Sequence, residues 1–252
     1  MGKLNQKVAV ITGGARGIGK QIALTFSREG ADVVIADVLD METATEEIKS
    51  FGGRVITFKV DVSKKREVED LIETTVKHFK RVDILVNNAG ISRRAPLLEM
   101  KEEDWDGVLA VDLKGVFLCT QAAARHMASQ RSGKIINIAS IAGLVGASIP
   151  PVSVNYDAAK AAVIRFTKSS SKELGPFGIN VNAIAPGLVL TDLTFTSRSK
   201  EEAERFRSEE VKSMPLGRAG VPEDIANIAL FQASEDSSLI TGQVIVADAG
   251  RT

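Results

Sequence analysis

Seven short runs rich in β-branched and apolar residues recur along the chain with a longer helical stretch between successive runs, and this alternation constrains the fold more than any other feature. The runs are Val8-Ala9-Val10-Ile11, Asp32-Val33-Val34-Ile35-Ala36, 55–60, Ile84-Leu85-Val86, 134–138, 179–184 and Val244-Ile245-Val246. Several are apolar throughout, as expected of strands covered on both faces, and helix candidates near 17–29, 42–51, 64–79, 102–129, 154–174 and 222–233 lie between them. The pattern predicts an α/β fold: a doubly wound parallel sheet of about seven strands with helices on both faces. At 252 residues, 44% hydrophobic and 25% charged, residues 1–252 suit one such domain. The polar stretch 188–214 interrupts the alternation before the last helix and reads as a lid over a site.

Charge and cysteine usage exclude several classes. Lysine plus arginine balances aspartate plus glutamate at 32 each, so no global field points to nucleic acid or an anionic membrane. No unbroken apolar run reaches the ~18 residues of a membrane span. The start, Met1-Gly2-Lys3-Leu4-Asn5-Gln6-Lys7, leads directly into the first strand and does not look like a signal peptide. The one cysteine, Cys119, sits in an apolar stretch and fits core packing in a reducing compartment. A cytoplasmic protein is expected, without a metal site.

Thr12-Gly13-Gly14-Ala15-Arg16-Gly17-Ile18-Gly19 follows the first strand and opens the first helix. Backbone amides at such a helix start can face a pyrophosphate, and glycines permit the tight turn and close approach. Asp37 closes the second strand 18 residues after Gly19, where a carboxylate can accept hydrogen bonds from adenosine ribose hydroxyls and would repel a 2′-phosphate. That favours NAD, with NADP the less favoured alternative. Arg16 points the other way, since it could meet a phosphate, and Asp37 also reads simply as a strand-end carboxylate near a turn.

Tyr156, the only tyrosine, stands four positions before Lys160 in Tyr156-Asp157-Ala158-Ala159-Lys160. Residues at i and i+4 share a helix face, so the ammonium can lie beside the phenol. Acid/base work near neutrality asks a tyrosine pKa to fall roughly 2 to 3 units from about 10. A unit charge at ~4 Å supplies about 4 kcal/mol at an effective dielectric of ~20, which is enough. Taken alone, the pair reads more readily as two neighbours on a solvated helix, and the rest of the sequence reverses that balance.

Together these motifs resemble the short-chain dehydrogenase/reductase family, over nearly the whole chain. The matching elements are Thr12 to Gly19, Asp61-Val62, Asn87-Asn88-Ala89-Gly90, Ser140, Tyr156 to Lys160, Pro186-Gly187-Leu188-Val189-Leu190-Thr191, Pro215-Leu216-Gly217-Arg218 and Ile240-Thr241-Gly242-Gln243. The resemblance implies a Rossmann-type fold and hydride transfer between nicotinamide and a ketone or secondary alcohol. It makes Tyr156 the acid/base, Lys160 the group that lowers its pKa and binds the nicotinamide ribose, and Ser140 a donor to the substrate oxygen. On the cofactor side it implies contacts from Gly13, Arg16, Gly17, Ile18 and Gly19, with Asp61 and Val62 flanking the adenine. Asn88, with Ala89 and Gly90, would sit against the ribose. Pro186, Gly187 and Val189 would lead to Thr191, which would hold the carboxamide. From the residues alone, Asp61 reads also as a helix cap, and Asn87 and Asn88 as a turn.

The chain departs from the family pattern in two places. Asp112 stands where the family commonly has a proton-relay asparagine, and either holds a relay water against Lys160 or is mainly structural. Ser140 and Tyr156 are 16 residues apart, a few more than usual, so Ser148 or Ser153 could reach the substrate in place of Ser140. Loops 91–97, 141–152 and 188–213, with Ile91, Leu97, Leu144, Val145, Ile149, Leu188 and Phe195 beside Arg93 and Arg94, favour a moderately apolar small-molecule substrate.

Within the family the chain is similar both to 3-oxoacyl carrier-protein reductases, many of which resemble NADPH enzymes, and to NAD-linked alcohol or sugar dehydrogenases. Arg125, Arg131, Lys168 and Lys172 could greet an acidic carrier protein or be merely solvated. The apolar side chains Val108, Val111, Val116, Phe117, Ala122, Ala162 and Phe166 suggest a homodimer or homotetramer, or simple packing onto the sheet. A non-catalytic NAD-binding sensor or scaffold is the alternative from another class.

Overall fold

The computed structural model describes residues 2–145, 153–191 and 200–252. The elements run β1 (Val8–Thr12), α1 (Gly17–Arg28), β2 (Asp32–Asp37), α2 (Glu42–Ser50), β3 (Val55–Lys59), α3 (Lys65–Phe79) and β4 (Ile84–Asn87). There follow α4 (Glu102–Leu109), α5 (Gly115–Gln130), β5 (Gly133–Ile138), a short α6 (Ala142–Val145), α7 (Val154–Leu174), β6 (Ile179–Pro186), α8 (Lys200–Lys212), α9 (Pro222–Ala233) and β7 (Val244–Ala247). All strand pairs are parallel, in the order β3-β2-β1-β4-β5-β6-β7. This is a single α/β domain with a seven-stranded Rossmann-type sheet.

Neighbouring residues on one strand face opposite cores, which is why the central strands are apolar without alternation. Ala9, Ile11, Val33, Ile35, Ile84 and Val86 pack under Phe26 of α1, Ile48 of α2 and Ala229 of α9. Val10, Val34, Leu85, Ile135 and Val181 pack on the other face under Leu71 of α3 and Leu118 and Met127 of α5. Cys119 lies in this second core, where burial pushes its thiol up to about 12.

The predicted helix 102–129 is present but is not uniform. Residues Ala110–Lys114 form a π-helical turn joining α4 to α5, and such turns interrupt α-helices mostly at functional positions. The whole stretch Glu102–Gln130 is long and apolar enough, by composition, to cross a bilayer; 56% of its apolar window is buried inside the protein, the situation of a core helix.

β1 has β2 on one side and β4 on the other, so the strand order reverses there, and a crevice opens between the carboxyl ends of those strands. Part of the 188–214 stretch is α8. Glu210 of α8 is buried and paired with Arg251, fixing that end of the segment to the C-terminal tail.

Candidate active site

At the first strand end, Gly13 and Gly17 adopt φ of +65° and +57°, a region that side-chain-bearing residues enter only with strain. A Cβ on Gly13 would lie 2.8 Å from both Ala89 Cα and the Asn88 amide nitrogen. α1 begins without a side-chain cap and without an acidic residue in its first turn, so the positive end of its dipole and its unpaired amides suit an anion. The crevice beside them is lined by Gly13, Arg16, Gly17 and Ile18, then Asp37, Asp61 and Val62, then Asn88, Ala89 and Gly90, with Thr191 at its edge.

This loop is locked from below. The Thr12 hydroxyl accepts from the backbone amides of Asn88 at 3.0 Å and Ala89 at 3.1 Å. The Asn88 side-chain amide donates to the carbonyls of Thr12 and Gly13 at 3.0 and 2.9 Å. Asn88 thus clips β4 to the glycine turn, and only its Oδ1 is left to meet a ribose. Asp37 is 8% exposed, and its carboxylate accepts from the amides of Ala15 and Leu39, each at 3.0 Å. Asp61 turns its carboxylate onto Ser63, accepting from the backbone amide at 3.0 Å and the hydroxyl at 2.7 Å. It therefore serves a turn ahead of α3 as well as the crevice wall. Val62 is buried and meets the bare face of Gly115.

Six wall residues were not among the expected cofactor contacts: Ala36, Val38, Leu39 and Val60, together with Ile91 and Val111, which were expected in a substrate loop and on an oligomer face. The usable signal was position, since four of them sit within two residues of the carboxyl end of β2, β3 or β4. Also unforeseen was a buried network in which Asn87 donates to Thr120 at 3.0 Å and Asn137 at 2.8 Å, while Asn137 donates to Thr167 at 2.9 Å. It ties β4, β5, α5 and α7 together.

Behind Gly90, which lines the crevice, α7 presents Tyr156 and Lys160 on one face. Lys160 Nζ lies 5.3 Å from the Tyr156 ring centroid, donates to the Ile138 carbonyl at 3.0 Å and stands 3.1 Å from Asp112 Oδ2. Asp112 Oδ1 accepts from the Ile91 amide at 2.8 Å. Oδ2 makes no well-aligned hydrogen bond, so its contact with Lys160 is charge pairing more than a directional bond. A Cβ on Gly90 would come within 2.7 Å of Asp112 Oδ2 and 3.5 Å of Lys160 Nζ, so only a glycine lets β4 end above this pair.

Ser140 lies close enough to the Tyr156 phenol to pull its pKa down, and its Oγ accepts from the Ala142 amide at 3.1 Å. Ser153 lies buried against Ser92 at 3.2 Å, and Ser148 lies outside the described residues. Pro186 ends β6, Gly187 donates to Ala247 at 2.9 Å, and Val189 forms a bridge with Gly220, which carries the chain toward Thr191.

Burial pushes the Tyr156 phenol above the ordinary tyrosine value; Lys160 pulls it down, Asp112 pushes it up again, and Ser140 and Asp157 follow as smaller influences in opposite senses. The expected action of Lys160 is there, but the net direction is the reverse of a lowered pKa. For Lys160 burial disfavours the ammonium, yet Asp112 and Tyr156 outweigh it and hold the pKa above the ordinary lysine value. Burial raises Asp112 despite Lys160 and the Ile91 amide.

A glycine turn at a topological switch point, an acidic residue closing β2 and a tyrosine, serine and lysine beyond Gly90 define a nicotinamide-dinucleotide oxidoreductase site. The chain belongs to the short-chain dehydrogenase/reductase family. A family model described as enoyl-(acyl carrier protein) reductase matches residues 13–252. The 3-oxoacyl-(acyl-carrier-protein) reductase FabG of Thermotoga maritima is 42% identical over 250 residues, covering 98% of each chain. The hydroxy(phenyl)methylsuccinyl-CoA dehydrogenase subunit BbsD of Thauera aromatica is 42% identical over 252 residues, covering 99% of this chain and 98% of its own. A crystal structure of a short-chain type dehydrogenase/reductase from Mycobacterium marinum superposes with a TM-score of 0.94 at 35% identity, covering 99% and 97% of the two chains.

Proposed function

We propose that the protein reduces the 3-oxo group of an acyl thioester to the 3-hydroxy compound, with NADH as the preferred reductant. The observation that carries the chemistry is the Tyr156 ring centroid 5.3 Å from Lys160 Nζ on one face of α7, with Ser140 beside the phenol. What supports the substrate class is that relatives of over 40% identity along the full chain are named for carrier-protein and coenzyme A thioesters. The broad ketone or secondary alcohol of the sequence reading narrows accordingly.

The dinucleotide, when bound, supplies the hydride. Amides of the glycine turn and of the start of α1 hold its pyrophosphate, Asp61 and Val62 flank the adenine, Asn88 Oδ1 meets a ribose, and Thr191 holds the carboxamide. Ser140 donates to the substrate oxygen as negative charge grows there. Tyr156 gives that oxygen its proton, and Lys160, with donors left beyond Ile138 and Asp112, binds the nicotinamide ribose. Asp37 has lone pairs left beyond Ala15 and Leu39, suited to ribose hydroxyls and hostile to a phosphate. Arg16 on the same wall is the feature that would favour NADPH.

Leu97, Leu144 and Val145 are exposed in the loops expected to meet the substrate and suit an acyl chain; Ile149 and Phe195 lie outside the described residues. Arg125, Arg131, Lys168 and Lys172 are exposed and suit an acidic carrier protein. The lid expected over 188–214 includes 192–199, which lie outside the described residues; its described part includes α8. Val108, Val116 and Ala122 are already buried within the chain and Val111 and Phe166 pack against its cores, so packing within the chain accounts for most of the apolar surface that suggested an oligomer. Phe117, 41% exposed, is left to support a homodimer or homotetramer.

The test is the nicotinamide absorbance of the purified chain with acetoacetyl-CoA, an acetoacetyl carrier protein and plain ketones, each with NADH and NADPH. The thioesters should exceed plain ketones in kcat/KM by about a hundredfold, the upper range of what pocket contacts provide. Equal rates would defeat the substrate assignment, and dinucleotide binding with no turnover of any substrate would restore the sensor reading. Faster turnover with the carrier protein than with coenzyme A would locate the partner.

A further inference from the structure

Two donors converge on one buried side chain inside the π-helical turn. The Ile91 amide reaches Asp112 Oδ1 at 2.8 Å and Lys160 Nζ stands 3.1 Å from Oδ2, with Asp112 wholly enclosed and the Lys160 side chain 4% exposed. A carboxylate accepts on both oxygens, whereas an asparagine accepts on one and turns an N–H2 group toward the other donor. Asp112 is thus no simple stand-in for the asparagine common in the family: one oxygen takes the Ile91 amide and the other sets a negative charge against Lys160.

The charges facing the phenol are Lys160 and Asp157 from its own helix and Asp112 from the π-helical turn, with the neutral Ser140 from the end of β5. Asp104 of α4 is turned outward to Arg93 at 3.9 Å. One cation therefore faces two carboxylates.

We propose that Asp112 is a positioning residue that clamps Lys160 and opposes its charge as felt at Tyr156, setting this site for carbonyl reduction over alcohol oxidation. In reduction the phenolic O–H bond breaks as the alcohol O–H bond forms, and the phenolate left behind is reprotonated from water. A phenol that holds its proton through the neutral range is ready for that step and is a poor base for the reverse one. The directional half of this inference rests on the carbonyl-reductase reading above; the electrostatic half does not.

Tyr156 is the only tyrosine in the chain, so near-ultraviolet phenolate absorbance titrates it alone, without substrate. In the unaltered protein its midpoint should lie above the free-tyrosine value of about 10. In Asp112→Asn the midpoint should fall by on the order of one unit, the effect of removing a close like charge. The alkaline rise of kcat for 3-hydroxyacyl thioester oxidation should fall by the same amount, giving about tenfold faster oxidation near neutrality.

An unaltered-protein midpoint at or below the free value overturns the proposal even where Asp112→Asn fails to fold, and an unmoved midpoint in a folded variant overturns it as well. A moved midpoint in a chain that turns over no thioester supports the electrostatic role of Asp112 while removing the substrate assignment. Thioester turnover with an unmoved midpoint does the converse.

Discussion

At the β1–β3 end the crevice is lined by glycines, short side chains, Arg16 and the carboxylates of Asp37 and Asp61; beyond Gly90, toward β5 and α7, stand a buried ammonium, a buried carboxylate and a phenol. The first end is shaped by what is missing, since a Cβ on Gly13 would run into Ala89 and Asn88, and its carboxylates, Asp37 and Asp61, are held by backbone amides and a hydroxyl. The second is shaped by compensation, because neither charge is tolerable in the interior without the other. A dinucleotide needs a fixed cradle, whereas a proton transfer needs a group whose charge state is adjustable.

The largest expected effect breaks the reactive end alone. Tyr156→Phe should lower kcat by about a thousandfold, within the range for loss of a general acid, while dinucleotide binding by fluorescence stays unchanged; retained turnover would remove the phenol from the mechanism. Next comes the charge pair. Lys160→Met should cost about 3 kcal/mol or more in urea unfolding because it strands Asp112, and adding Asp112→Leu should recover most of that loss without recovering activity. No recovery in the double variant would mean that the pair is not the source of the instability.

The cradle end should respond in specificity and not in rate. Asp37→Asn should lower the NADH-to-NADPH ratio of kcat/KM by about tenfold, or 1.4 kcal/mol, and an unchanged ratio would take Asp37 out of cofactor choice. The smallest effect lies outside both ends. Asp224 accepts a two-pronged bond from Arg218 at 2.7 and 2.8 Å and another from the Val221 amide at 2.9 Å. Arg218 first, then that amide, hold its carboxyl down at about 2 from an ordinary 3.8. A lowered folded-state pKa means stability fully present above the ordinary value and lost as the pH falls through the folded one. Between those limits, chemical unfolding of Asp224→Asn should lack a component of less than about 1 kcal/mol, as solvent screening requires of a surface pair.

The glycines, the strand runs and the Tyr156–Lys160 spacing were legible because each is a local property: a conformation only glycine adopts readily, a run of residues covered on both faces, two side chains one helical turn apart. The jobs of Asn88 and Asp112 were not legible to the same degree. Asn88 binds carbonyls 75 and 76 residues away, and Asp112 meets Ile91 at a separation of 21 residues, and nothing in their immediate neighbours announces either. The same holds for the sign of the shift at Tyr156. A lysine four residues away was visible in the sequence, but the burial and the opposing carboxylate that outweigh it come from other parts of the chain.

The sequence by itself therefore determined the doubly wound sheet, the place of the crevice at the strand ends and the chemical class of its groups, because hydrophobic period, backbone freedom and residue type act over a few positions. Only the tertiary structure decided how those groups are charged and to whom they are bonded. The free energy of a buried ion or amide depends on every neighbour within a few ångströms, and here those neighbours arrive from four separate segments: the ends of β4 and β5, the π-helical turn and α7.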